Sequence, residues 1–115
     1  MTELIYKIVP AETWRQAESA GVFAGAGIDL ADGFIHLSTA QQTRRTAELY
    51  FTGQTGLALV AIDTEALGPA LRYEASRDGA LFPHLYGPLP LSAVRATYAL
   101  TLDAEGQFIF PEDMP

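Results

Sequence analysis

The sequence predicts a single-domain α+β protein with mostly antiparallel strands and two main helices. Two kinds of segment point to this fold class: alternating apolar strands near both ends of the chain, and two stretches with apolar residues at helical spacing. The chain of 115 residues is 49% hydrophobic, which supplies enough apolar surface for one core. No internal repeat, linker or low-complexity segment interrupts it, so we expect one domain over residues 1–115.

The first third of the chain is predicted to fold as a strand, a helix and a loop. Leu4 to Val9 alternates apolar and polar side chains and reads as a strand that Pro10 ends. Ala11 to Ala20 carries apolar residues at helical spacing, and Gly21 occupies the place of a C-terminal cap, so we expect about three helical turns. Val22 to Ala31 is glycine-rich and predicts an irregular surface loop near the site.

A second strand and helix follow. Phe34 to Leu37 predicts a short strand, and the helix after it is expected to end at Gly53. A hydroxyl residue followed three positions later by glutamine predicts a capping box, in which each side chain bonds the other residue's backbone N–H. The candidate pairs are Ser38 with Gln41 and Thr39 with Gln42.

The second half of the chain predicts strands. Leu57 to Ile62 is a continuous apolar run, typical of a central strand buried on both faces. Leu71 to Glu74 alternates as a strand, and Val94 to Leu102 is expected to form a hairpin with Gln107 to Phe110. The acidic end, Pro111 to Pro115, is expected to fray.

Charge and composition exclude several classes of function. A formal net charge of −7 argues against general binding to nucleic acid, which needs many cationic contacts to phosphate. The absence of cysteine excludes a disulfide framework, a thiolate nucleophile and a cysteine-ligated zinc site. No segment approaches the ~20 apolar residues of a membrane span, and no signal-like segment is present. We therefore expect a soluble cytoplasmic protein with no membrane partner.

Two polar segments hold both histidines of the chain and the candidate site residues. The first, Asp32 to Thr39, brings an imidazole and two hydroxyls to the point where a strand ends and a helix begins. Helix N-termini favour negative charge, so this placement suits an anion or a nucleotide. The second segment, Arg72 to Gly87, holds the other titratable candidates. Together the segments supply His36, Ser38, Arg72, Glu74, Arg77, His84 and Tyr86 as candidate site residues.

Arginines near these segments suggest a local anion pocket. Six of the seven cationic residues are arginines, and Arg44, Arg45, Arg72 and Arg77 lie in or just after the polar segments. A guanidinium can hold phosphate or carboxylate through two parallel hydrogen bonds. The alternative is that Arg44 and Arg45 form the solvated face of a helix.

The residue types permit acid–base chemistry at a sugar carbon. His36 can carry a proton, and Glu74 can act as a general base or stabilise developing positive charge. The alternatives are a strand histidine that only satisfies a backbone carbonyl, and a Glu74 held in a structural ion pair with Arg72 or Arg77. With only two histidines and no ligand spacing such as HxH or HExxH, we predict no metal site.

The aromatic residues around His84 suggest a stacking surface. Phe82, His84 and Tyr86 alternate in a segment rich in proline, which predicts a rigid loop whose aromatic edge can stack on a planar ring. The alternative is that Phe82 and Tyr86 only fill the core as the chain crosses it. The common hydrolase and nucleotide-binding motifs GxSxG, GxGxxG and GxxxxGK[ST] are absent.

Four ordered motifs, IYKIVPAETW, DGFIHLSTAQQ, LRYEASR and FPHLYGPLPL, resemble the bacterial domain-of-unknown-function family numbered 952. The resemblance runs from Ile5 to about Leu100 and implies an ADP-ribosyltransferase-like fold, with antiparallel sheets around a cleft that holds NAD in active relatives. The first strand resembles the first motif of such enzymes, with Lys7 where histidine is common. Phe34 to Ser38 resembles a later strand of the RNA 2′-phosphotransferase branch, and Glu74 is the best candidate for the acid of a late strand.

The resemblance implies a cleft that binds NAD or a related nucleotide, as ligand or substrate, and a transferase or NAD-glycohydrolase activity at the ribose. His36 and Ser38 would hold ribose hydroxyls, with Arg72 or Arg77 on phosphate. Glu74 would stabilise an oxocarbenium-like centre, and His84 and Tyr86 would complete the binding surface. The alternative is a non-catalytic domain that binds an anion, a nucleotide or a protein, and a third possibility is a purely structural network.

Overall fold

The computed structural model describes residues 3–76, 79–112 and 114 and has an α+β architecture. Its strands are β1 (Leu4–Pro10), β2 (Val22–Phe23), β3 (Ile35–His36), β4 (Ser38–Thr39), β5 (Leu57–Asp63), β6 (Leu71–Ala75), β7 (Leu81–Leu85), β8 (Leu89–Pro90), β9 (Val94–Leu102) and β10 (Phe108–Ile109). Its α-helices are α1 (Ala11–Ala20), α2 (Ile28–Asp32) and α3 (Ala40–Tyr50), and short 3₁₀ turns cover Thr64–Ala66, Gly68–Ala70 and Leu91–Ala93.

Within the described residues, the strands form three sheets in which every pairing is antiparallel. The largest has the order β10-β9-β5-β1-β4, the second has the order β3-β7-β6, and β2 pairs with β8. The predicted α+β class, the antiparallel pairing and the two main helices are confirmed.

The strand β5 separates two parts of the hydrophobic core. All seven of its residues are buried, as the continuous apolar run predicts. Because neighbouring side chains point to opposite faces, Ala58, Val60 and Ile62 join the cluster that contains Trp14. Leu57, Leu59 and Ala61 join the cluster that contains Ala47 of α3. Both faces of the sheet are therefore covered.

The two main helices begin and end for local reasons. Gly21 adopts the left-handed conformation, with φ of 85°, and its N–H donates to the carbonyl of Ala17 to close α1. Thr39 and Gln42 form the predicted capping box of α3, with the Thr39 N–H donating to Gln42 Oε1 at 3.0 Å. α3 ends at Tyr50 rather than at Gly53, because Phe51 already leaves the helical conformation.

One local prediction was wrong in the first half, and the bounds of another need correction. Residues 22–31 are not one irregular loop, since they contain β2 and most of α2; the glycines lie in the turn between these elements, with φ of 110° at Gly25 and 59° at Gly27. The strand expected over Phe34–Leu37 is present but shorter, as β3, because the chain leaves that sheet at Leu37 and pairs with the other sheet in β4.

Two further predictions were wrong in the second half. The segment around His84 is the strand β7 rather than a loop, although it contains Pro83. Pro83 removes only one donor, and its carbonyl accepts a hydrogen bond from the Leu37 N–H at 3.0 Å. The fraying predicted for the C-terminal end fails at Met114, which is buried against the α3 side of the core. Asp113 and Pro115 lie outside the described residues.

Among the residues that the structure describes, no helix combines the length and the apolar character needed to cross a membrane.

Candidate functional site

A cavity of about 680 Å³ lies between the two larger sheets and the helices beside them. Its walls come from β1, α1, α2, the segment His36–Ser38, α3 and β7. Most of the wall is apolar, and the polar groups include two imidazoles, two carboxylates and one ammonium. Sites that bind small molecules usually have this combination of apolar walls and a few placed polar groups.

Asp29 is the hub of the polar groups on one side of the cavity. Its buried carboxylate lies 2.9 Å from the ammonium of Lys7 and 2.7 Å from Nδ1 of His36. It also accepts hydrogen bonds from the backbone N–H groups of His36, at 3.0 Å, and Ala26, at 3.1 Å. The carboxylate therefore fixes both the orientation of the His36 ring and the position of α2 against β1.

At the pair of Asp29 and Lys7, charge and burial shift each pKa in opposite directions. Burial alone would raise the pKa of Asp29, but the nearby Lys7 charge and the hydrogen bonds from His36 outweigh it, so the pKa lies below its usual value. Burial lowers the pKa of Lys7, and Asp29 offsets part of this shift. The Lys7 ammonium also donates to the carbonyl of His36 at 3.0 Å. Lys7 is thus held by Asp29 and by the strand that carries the histidine.

Two carboxylates flank the His36 ring. Its Nε2 lies 3.0 Å from Asp32 Oδ2, on the side opposite the Asp29 contact. A neutral imidazole can donate through only one of its two nitrogens, whereas an imidazolium donates through both. The ring is 26% exposed and Asp32 is 48% exposed, so this second contact lies at the open side of the cavity.

His84 is held by a carboxylate of its own. Its Nδ1 lies 2.8 Å from Glu74 Oε1, which also accepts a hydrogen bond from the Tyr86 hydroxyl at 2.7 Å. These two hydrogen bonds, the Tyr86 bond foremost, lower the pKa of Glu74. The same Tyr86 bond raises the pKa of the tyrosine, and the Arg72 guanidinium lies 5.0 Å from the centre of the Tyr86 ring. His84 itself is almost fully buried.

Phe34 links the two histidines. The centre of its ring lies 4.5 Å from that of His36, 4.2 Å from that of His84 and 5.1 Å from that of Tyr86. The two imidazole centres are 5.5 Å apart, because His36 and His84 face each other across the β3–β7 pairing. Packed aromatic rings of this kind restrict side-chain rotation and hold the imidazoles in place.

The local sequence explains how His36 and Ser38 reach the same wall. Gly33 ends α2 in the left-handed conformation, with φ of 82°, and turns the chain into Phe34. The extended segment that follows runs along the cavity, and His36, Leu37 and Ser38 all line it. The Ser38 hydroxyl lies 3.0 Å from the hydroxyl of Thr46, another lining residue.

The structure brings most of the predicted site residues together in two layers. His36, Ser38 and His84 line the cavity. Glu74, Tyr86 and Arg72 are not among the lining residues, but Glu74 contacts His84 directly and connects it to Tyr86. The last candidate, Arg77, lies outside the described residues.

The carboxylates of Asp29 and Asp32 and the ring of Phe34 carry no site role in the sequence patterns, where Lys7 stands out only as a departure from a motif. Asp29 stood in a glycine-rich segment expected to be irregular, which concealed its fixed position. One available signal was Lys7 itself, the chain's single lysine, placed within an otherwise apolar strand.

Within residues 3–76, 79–112 and 114, no group of three or more His, Cys, Asp or Glu side chains is arranged to hold a metal ion.

The fold and the site define a small α+β protein in which antiparallel strands present two carboxylate-bound histidines to one cavity. A family model described as "Protein of unknown function (DUF952)" matches residues 8–97, and the chain belongs to this family. The predicted family is thereby confirmed, whereas the ADP-ribosyltransferase-like fold stays a prediction.

The solved structures that resemble the chain include a crystal structure and a solution NMR structure of protein CC0527 from Caulobacter crescentus. The crystal structure is 50% identical with a TM-score of 0.87, and the match covers 92% of this chain and 93% of that one. The solution NMR structure is 51% identical with a TM-score of 0.81 and covers 90% of each chain. No curated protein matches the sequence.

Proposed function

We propose that the cavity binds NAD or a related nucleotide and acts on its ribose, as expected for an ADP-ribosyltransferase-like domain. One observation carries the proposal: the imidazoles of His36 and His84, each bound through Nδ1 to a carboxylate, lie 5.5 Å apart at one cavity. A carboxylate on Nδ1 fixes the ring and its tautomer, and in His84 this prepares Nε2 for proton transfer, whereas Nε2 of His36 lies 3.0 Å from Asp32 Oδ2.

His84 is the proposed general base. Glu74 has a lowered pKa and is therefore ionised near neutral pH, so it accepts the Nδ1 proton and leaves His84 Nε2 as an acceptor. In hydrolysis, the bond between ribose C1′ and the nicotinamide nitrogen breaks, and its electron pair leaves with nicotinamide. Water bonds to C1′ and gives its proton to His84. In this scheme Glu74 and Tyr86 are positioning residues that act through His84.

The His36 side provides the complementary charge. Breaking the glycosidic bond develops positive charge on the sugar, and the carboxylates of Asp29 and Asp32 would stabilise it. His36 and Ser38 lie on one wall and would hold ribose hydroxyls. Arg72 is not a lining residue, so a phosphate that it contacts would lie outside the cavity.

The first test is a titration of the protein with NAD, followed by backbone amide NMR and by chromatography of released nicotinamide. We expect shifts centred on His36, Ser38 and His84, and slow release of nicotinamide. Replacing His84 by Asn should abolish release while binding remains, and the exposed Glu12→Gln on α1 serves as the control. An absence of shifts at millimolar NAD overturns the proposal.

A second candidate is binding without catalysis, and one observation favours it. A single oxygen of Glu74 accepts two hydrogen bonds, and the residue is not among those lining the cavity, so no carboxylate of the later strands faces the ligand directly. This candidate predicts NAD-induced shifts with no nicotinamide release, and binding that does not change in His84→Asn.

A further inference from the structure

We infer that the outer side of β9 is an interaction surface for a second copy of this chain, whose own β9 pairs with it as an antiparallel strand. The surface consists of residues 94–100, the open edge. Pairing there would join two five-stranded sheets into one. No residue of β9 is among those that line the cavity, so this inference stands or falls independently of the proposed function.

The open edge lacks a strand partner among the residues that the structure describes. The strand β5 pairs with one side of β9 from Val94 to Leu100. On the other side, β10 pairs only with Thr101 and Leu102. Within the described part of the chain, the backbone groups of residues 95–100 make no hydrogen bond on that outer side. A row of unpaired N–H and C=O groups is a template for another strand.

The open edge carries few of the features that keep edge strands apart. Its sequence, VRATYAL, has no proline, no acidic residue and a single cationic residue, Arg95. The register shift between β5 and β9 also lies at Arg95, so both protective features are confined to one end. By contrast, β6 at the edge of the second sheet is only five residues long and carries Arg72 and Glu74. The edge of β9 is therefore the one better suited to pairing.

Charge favours a second copy of the chain as the partner. With a net charge of −7, two copies repel each other wherever acidic surfaces meet. The open edge has no carboxylate, and its Arg95 is paired with Asp63 of the same chain at 2.8 Å. A strongly charged partner finds no complementary charge there, whereas an uncharged strand of the same sequence meets no repulsion.

The open edge is also self-complementary. A two-fold axis perpendicular to the sheet places one residue of the strand opposite the same residue of the second copy. Because β10 covers the outer side from Thr101 onward, the residue that centres the whole open edge is Thr97. This register sets Arg95 opposite Ala99 of the second copy, so like charges do not face each other. Ile109 of β10, 51% exposed, would lie against the end of the incoming strand.

Sedimentation of the full chain between about 10 µM and about 1 mM tests the inference. The average mass should rise reversibly from that of one chain toward that of two, because a single strand pairing is smaller than a standard interface and holds weakly. Added salt should strengthen the association, since it screens the repulsion between two acidic chains. The mass of one chain at every concentration, or weaker association in salt, would overturn the inference.

Two lysine variants locate the surface. Thr97→Lys places two like charges opposite each other at the centre of the pairing and should weaken association about tenfold. Thr101→Lys is the matched control, because it makes the same change on the same exposed face of β9, where β10 already covers the outer side. It should change the association little. Equal effects of the two variants, or no effect of Thr97→Lys, would contradict the inference.

A cross-linking experiment tests the register. The chain has no cysteine, so Thr97→Cys introduces a single thiol. The two-fold register brings this thiol opposite its copy, with Cα atoms about 5 Å apart, which is within the range of a disulfide. We expect mild oxidation to give a covalent dimer with Thr97→Cys and little with Thr101→Cys. Equal cross-linking of both variants, or none with Thr97→Cys, would overturn the proposed pairing.

Discussion

His36 and His84 face each other across two neighbouring strands, and each is held through Nδ1 by a different carboxylate: Asp29 for His36 and Glu74 for His84. The two supports differ in character. Asp29 is buried and paired with an ammonium, whereas Glu74 lies nearer the surface and is bound by a tyrosine hydroxyl. The two histidines can therefore be perturbed separately.

Replacing Asp29 by Asn should destabilise the fold. The change leaves the Lys7 ammonium buried without its counter-charge, and the loss of one partner of a buried pair costs about 3 kcal/mol of unfolding free energy. Chemical denaturation measures it. The control is Glu12→Gln, which breaks an exposed pair with Arg15 and should cost less than about 1 kcal/mol. Equal costs for the two variants would contradict a central role for Asp29.

Lys7 and Asp29 should show strong energetic coupling. Because each single variant, Lys7→Met or Asp29→Asn, leaves the other charge buried, the double variant should lose less stability than the sum of the two losses. We expect a coupling free energy of about 2 kcal/mol from the four denaturation curves of the cycle. Additive losses would mean that the two groups act independently.

Acid should weaken the fold through Asp29. Its folded-state pKa lies below its usual value, so between that pKa and the unfolded value of about 4 the unfolded chain binds more protons. The stability that the carboxylate contributes is thus complete above pH of about 4 and is lost as pH falls through the folded pKa. As pH is lowered below about 4, denaturation midpoints should fall less steeply in Asp29→Asn than in the original protein.

The hydrogen bonds that connect Tyr86 to Glu74 and Glu74 to His84 can be tested by the NMR chemical shifts of the imidazole nitrogens. Glu74→Gln removes the charge that accepts the Nδ1 proton of His84, so we expect a shift in the nitrogen resonances of His84 and little change at His36. Tyr86→Phe removes one donor to the same oxygen and should produce a smaller change in the same resonances. A response of both histidines to Glu74→Gln would indicate a general rearrangement.

The contribution of the capping box at the start of α3 to the unfolding free energy should be measurable separately from the site. Thr39→Ala removes the hydroxyl that caps the first turn, and we expect a loss of about 1 kcal/mol in unfolding free energy. Thr39→Ser keeps a hydroxyl at the same position and should retain most of the stability. Thermal and chemical denaturation of both variants measures the difference, and equal stabilities would rule out the cap.

The sequence by itself determined the elements whose signals are local. The limits of α1 follow from Pro10 and Gly21, the start of α3 from Thr39 and Gln42, and the central position of β5 from its unbroken apolar run. Each of these signals lies within one element, where periodicity and capping are sufficient to fix the conformation. The two polar segments also identified His36, Ser38 and His84, all of which line the cavity.

Only the tertiary structure decided how these residues meet. The strands β3 and β7, which carry the histidines, pair over only two residues, too few to produce a recognisable pattern in the sequence. Pro83 made the segment that forms β7 resemble a loop. Asp29 contacts Lys7 although the two residues are 22 positions apart in the sequence. Because Asp29 lies in a glycine-rich segment, its fixed position could not be predicted from the sequence. Register and long-range contact depend on the packing of whole sheets, so no local pattern could place two carboxylates behind two facing imidazoles.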